Sequence, residues 1–143
     1  MAGPSVWEER LMRSVLLMLC VAVSLEAAGE VVVAGREGRV SATVLTGLDA
    51  LPLNTMHSWR VRLVDSDGEP LSGARVEVGG GMPMHDHGLP TEPTATETEP
   101  GEYRVDGVRF HMHGHWELTL EIREGGGSGE SGDVDTVTIK FEL

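Results

Sequence analysis

Cysteine is almost missing from this 143-residue chain, and the only one, Cys20, lies in an apolar run near the N-terminus. A chain trimmed of that run has neither thiol nor disulfide, so any soft-metal site must draw on histidine and methionine. Those donors persist in an oxidising compartment, where thiolates are lost to disulfides. Aromatic residues make up 4% of the chain while glycine reaches 19 residues. That balance suits short strands and many turns better than long helices. Positive charge is scarce too: 11 Lys and Arg stand against 23 Asp and Glu, for a net charge of −12. Such a surface repels phosphate backbones and anionic headgroups, so neither nucleic acid nor direct lipid binding by the mature chain is expected. There is no Ser-His-Asp pattern, no nucleophile elbow and no phosphate-cradling loop. The Gly79–Gly81 run leads into a proline-rich segment, not a helix. No enzymatic activity is expected, although three clustered histidines keep a zinc or copper enzyme open as a third reading.

Residues 1–28 read as a secretory signal. Arg10 and Arg13 supply its positive charge, Ser14 to Leu25 its apolar run, and Ala27 and Ala28 the small residues that follow. The run falls short of the ~18 residues of a membrane span. Two alternatives compete with cleavage: Cys20 as a lipoprotein cysteine, against which the bulky Leu19 stands, and an uncleaved anchor, against which Glu26 stands. The reading gives an exported protein, periplasmic or extracellular, with residues 29–143 as a single domain.

The remainder alternates like a series of short strands punctuated by turns. Val40 to Leu45 is a first strand. In His57 to Val64, the residues His57, Trp59, Val61 and Leu63 share one face. Asp67-Gly68 marks a turn, and Ala74, Val76 and Val78 form another half-buried strand. Thr94 to Thr98 and a strand starting at Tyr103 and Val105 follow, with Asp106-Gly107 breaking the phase. Phe110, Met112, Trp116, Leu118, Leu120 and Ile122 then share one parity, and Val134 to Phe141 closes the domain after a flexible glycine-rich connection, Gly125 to Gly132. About seven strands without a helix predict an all-β, immunoglobulin-like β-sandwich.

The least random feature is where histidine and methionine fall. Outside the signal, the four methionines Met56, Met82, Met84 and Met112 all lie within a few residues of a histidine. Methionine is ordinarily scattered through cores as filler. Thioether sulfur prefers Cu(I), whereas imidazole accepts Cu(I), Cu(II) and Zn(II). The candidate site is therefore centred on His85 and His87, whose loop is stiffened by Pro83 and Pro90. Met82 or Met84 adds sulfur from the same loop, and folding brings in Met112 and His57. Cu(I) is the favoured metal, Cu(II) is possible, and zinc is less favoured. Structural readings stand beside these. His85 and His87 are otherwise two solvated loop histidines. Met112 has the parity of a core residue, and His57 that of a buried structural histidine. His111, His113 and His115 share the opposite, solvent-facing side of the Phe110–Trp116 segment, as a solvated face or a second, weaker site.

These segments resemble a known family. Leu51 to Trp59, Gly81 to Thr91, Gly101 to Tyr103, and the spaced residues Phe110, Met112, Gly114 and Trp116 are together similar to the YtkA-like domain, which is related to FixH. The resemblance spans roughly residues 40 to 123. It implies an immunoglobulin-like sandwich outside the cytoplasmic membrane, with a link to copper handling or oxidase assembly. By position it carries metal-site roles onto Met82, His85, His87 and Met112, with His57 matching the family's strand histidine. The crowded His111, His113 and His115 depart from the family pattern and leave the number of sites open. The expected function is that of a copper chaperone or buffer passing metal to a receiving or membrane protein that the sequence does not identify. The alternative is a metal-free interaction module of a membrane-associated complex.

Overall fold

A computed structural model describes residues 30–125 and 132–143. Residues 1–28, expected above to be a signal segment, and most of the glycine-rich connection lie outside these residues. Nine strands form among the described residues: β1 (Val31–Ala34), β2 (Val40–Val44), β3 (His57–Asp65), β4 (Arg75–Met82), the two-residue β5 (His87–Gly88), β6 (Thr94–Glu99), β7 (Glu102–Val108), β8 (His115–Arg123) and β9 (Val134–Glu142). All pair antiparallel, in the order β1-β2-β3-β7-β6-β4-β8-β9, with β5 on the end of β4. The link between β6 and β4 is a single pair, Glu77 with Thr94. The ladder therefore folds there into two layers, β1-β2-β3-β7-β6 and β4-β8-β9. With β1 and β5 set aside, the remaining seven strands run 1-2-5-4 in one layer and 3-6-7 in the other. That is the constant-type immunoglobulin arrangement.

Period-two alternation builds the interior. Along β3, Trp59, Val61 and Leu63 are buried while Ser58, Arg60 and Arg62 are exposed. Along β8, Trp116, Leu118, Leu120 and Ile122 are fully buried. Val137, Ile139 and Phe141 of β9 complete the second inner face. The layers meet at Trp59, whose ring centre lies 5.3 Å from that of Phe141 and 6.1 Å from that of Phe110. Tilted and edge-on contacts of this kind add to the burial of large apolar area.

One polar device fixes the N-terminal hairpin to the last strand. Asp135, 2% exposed, points from β9 into the β1–β2 turn. One carboxylate oxygen accepts the backbone N–H groups of Glu37 and Thr136, at 2.9 and 2.8 Å. The other accepts those of Arg39 and Val40, at 2.9 and 3.1 Å. Burial alone raises its pKa, but the bonds from Glu37, Val40, Arg39 and Thr136 together outweigh burial and hold it below the ordinary aspartate value.

The structure departs from the sequence pattern in two places. The strand β1 was not expected, because four apolar residues beside the signal run offer no alternation to read. Phe110, Met112 and Trp116 were expected to share one strand parity, but β7 ends at Val108 and β8 starts only at His115. Between them pairing is reduced to an isolated bridge from Phe110 to Leu53 and a mutual backbone pair of Gly114 with Leu143. Gly114 sits at φ +131, a conformation L side chains rarely adopt. The Trp116 indole N–H turns back to donate to the Met112 carbonyl at 3.1 Å. The interruption at Asp106-Gly107 is a bulge: His57 pairs with Val108 and Trp59 with Val105, so β7 carries one extra residue.

Candidate metal centre

The loop after β4 is made by close backbone approach. Gly80 has φ +139, and a Cβ on it would collide with the Glu117 carbonyl oxygen of β8. A Cβ on Gly81 would likewise strike the His87 carbonyl. Beyond β4, Pro83–His85 form one 3-10 turn, and Asp86 reverses the chain at φ 53 and ψ 39. His87 and Gly88 then return alongside Met82 and Gly81, and Leu89 N–H donates to the Gly80 carbonyl at 3.1 Å. The result is a tight hairpin that sets His87 beside Met82.

Across from it lies the β7–β8 connection. The His87 ring centre is 4.9 Å from that of His111 and 6.2 Å from that of Trp116. His111 stands edge-on to Trp116 at 5.4 Å, with an interplanar angle of 85°. Its Nδ1 is buried and has no hydrogen-bond partner. Met82 is 1% exposed. Its terminal methyl reaches under Gly114, where a Cβ would stand only 2.8 Å away, so a glycine there leaves room for the thioether. On the outer side, His85 lies nearly parallel to His87, with ring centres 5.9 Å apart and planes at 27°. A shallow open cleft of about 310 Å³ adjoins the group, with Met82, Asp86 and His87 on one wall and Glu117 on the other.

Met82, His85, His87 and His111 are therefore gathered, with Met84 on the same turn, while His57 and His115 lie elsewhere. His57 packs on Phe110, with ring centres 5.4 Å apart, and Phe110 in turn packs on Trp116 at 5.0 Å. Two aromatic rings thus stand between His57 and the gathered group. Its Nδ1 faces the Thr55 carbonyl at 3.0 Å. A carbonyl only accepts, so Nδ1 donates to it, while Nε2 is buried and without a partner. Met112 packs against the core from its margin. His113 is exposed. His115 turns to the β8–β9 surface, with Nδ1 3.2 Å from Glu142 and Nε2 3.9 Å from Glu117. Met84 and Met56 are 82% and 59% exposed.

The placement of His111 differs from the sequence expectation of a solvent-facing triplet. Parity assigns faces only within a strand, and residues 109–114 are not one. Trp116, the platform on which His87 and His111 both rest, was read only as a core residue. Among the described residues no three His, Asp or Glu side chains converge into a ready-made metal cage. The gathered set is instead three imidazoles, of which His87 and His111 face each other, with the buried Met82 paired beside His87.

A two-layered immunoglobulin-like sandwich carrying a histidine–methionine cluster at one end is the class this chain falls in. The chain belongs to the YtkA-like family, whose model matches residues 44–121, a span that takes in the whole cluster. Comparison with curated proteins and with solved structures returned no match. Among the described residues no helix is long and apolar enough to cross a membrane.

Proposed function

We propose that this YtkA-like domain is an exported copper-binding protein, a chaperone or buffer that holds Cu(I) between the imidazoles of His87 and His111 with sulfur from Met82. The observation that carries this reading is the buried, unpartnered Nδ1 of His111 beside the His87 ring. A buried polar nitrogen without a partner costs about 1–3 kcal/mol, which a ligand would relieve. The spacing fits: two imidazoles on one metal, each bonded at about 2.0 Å, put their ring centres about 5 Å apart at a tetrahedral angle. The donor chemistry fits as well. A neutral set of two nitrogens and a thioether suits soft, singly charged copper, whereas no thiolate or carboxylate joins it to favour zinc. Trp116 and Gly114 serve as the floor and the gap that hold the set in place. Export is supported by the signal-like segment at residues 1–28.

Titration of the purified protein with Cu(I), in competition with a chromophoric chelator, tests the reading. One equivalent should bind and quench Trp116, and His87→Ala/His111→Ala should lose both effects. Full retention of binding by that folded double variant would overturn the assignment, and a wild-type protein that takes no copper leaves the interaction-module alternative.

A further inference from the structure

The donors at this end of the sandwich are graded from solvent to core. Met84 is 82% exposed and His85 is exposed, His87 is half-buried, the Nδ1 of His111 is buried, and Met82 is 1% exposed. Met84 has no packing role that explains it. It is one of three large apolar side chains exposed among the described residues, and the only one beside the cluster. It sits at the tip of the Pro83–His85 turn, whose backbone is set by a proline at one end and a left-handed Asp86 at the other. A non-glycine residue at positive φ is retained where the surroundings over-determine it, and such positions gather at functional sites. Here it aims the turn outward while bringing His87 back to Met82.

Resting on the copper reading, we infer that the Pro83–His85 turn is the hand-over edge of the site. Met84 and His85 exchange Cu(I) with a second protein that presents a thioether or imidazole of its own. The metal passes by ligand substitution: a bond from copper to the partner's donor breaks as one to the Met84 sulfur forms. His85 and then His87 take over inward, the ring stacking at 5.9 Å keeping the last step short. Copper stays in the +1 state throughout, and the thioether neither gains nor loses a proton. Asp86 flanks the adjoining cleft, opposite a Glu117 paired with Lys140 at 2.8 Å, on a chain of net charge −12, so the partner's docking rim is basic. Attraction between such surfaces speeds encounter and weakens with salt.

The test separates rate from affinity. The probe is a synthetic lysine-rich peptide with paired methionines, loaded with Cu(I). Transfer to the protein is followed by Trp116 quenching in stopped flow, and affinity by chelator competition. Met84→Leu, at an exposed position outside the gathered set, should slow transfer by about tenfold or more while equilibrium affinity stays at the wild-type value. Raising the salt should slow the wild type as well. Transfer at the wild-type rate, or a slowing matched by an equal loss of affinity, overturns the hand-over role. Wild-type protein that fails to bind Cu(I) at equilibrium overturns the copper reading itself and this inference with it, a failure visible before any variant is made.

Discussion

Asp135→Asn tests how the sandwich is closed. The substitution keeps the shape of the side chain but exchanges one acceptor oxygen for an amide donor. Each oxygen of Asp135 now accepts two backbone N–H groups at 2.8 to 3.1 Å. Asparagine can serve one pair and sets its own N–H against the other. Two charge-assisted hydrogen bonds are lost and two backbone donors, Glu37 with Thr136 or Arg39 with Val40, are left facing a donor, a loss of about 3 kcal/mol or more. For a domain of this size that lowers Tm by roughly 10–20 °C. The variant should also lose a pH dependence. The folded pKa of Asp135 is depressed, so its contribution is fully present above the unfolded aspartate value of about 3.9 and is lost as pH falls through the lower folded value. Thermal melts by near-ultraviolet circular dichroism at pH 7 and through that acid window measure both effects. Hydrogen exchange at Glu37, Arg39 and Val40 locates them. A variant that melts with the wild type at pH 7 and shows the same acid dependence would refute the idea that this carboxylate holds the hairpin to β9.

Gly80→Ala should abolish folding, because the new Cβ meets the Glu117 carbonyl of a paired strand and the residue stands at φ +139; loss of soluble, protease-resistant protein is the readout. Tyr103→Phe should destabilise by about 1–2 kcal/mol in urea melts. The phenol donates to the Leu71 carbonyl and accepts from Ala74 N–H, each at 2.9 Å. Burial pushes its pKa up, so the neutral, donating form persists across the working range.

The fold was legible wherever one face of a strand is wet and the other dry. His57 to Val64 and Trp116 to Ile122 alternate so regularly that period two assigns their inner residues, and the turn at Asp67-Gly68 marks where a strand stops. The edge strand β1 has no such contrast, since Val31 to Val33 are alike and only pairing with β2 decides their state. The site was half legible. Proximity in sequence placed Met82, His85 and His87 together. His111 was put on the wrong side because its position depends on a break at Gly114 and on an indole N–H capping a carbonyl, neither of which periodicity encodes. His57 and Met112 share the parity of core residues and pack near the aromatic cluster, but Phe110 and Trp116 stand between His57 and the gathered imidazoles.

X-ray absorption at the copper edge of the Cu(I)-loaded protein tests the central claim most directly, because it counts the donors around the metal. The account requires one sulfur and two imidazole nitrogens, with the sulfur signal lost in Met82→Leu and one imidazole's scattering lost in each of the single variants His87→Ala and His111→Ala. A shell without sulfur, or one unchanged by all three substitutions, would contradict it.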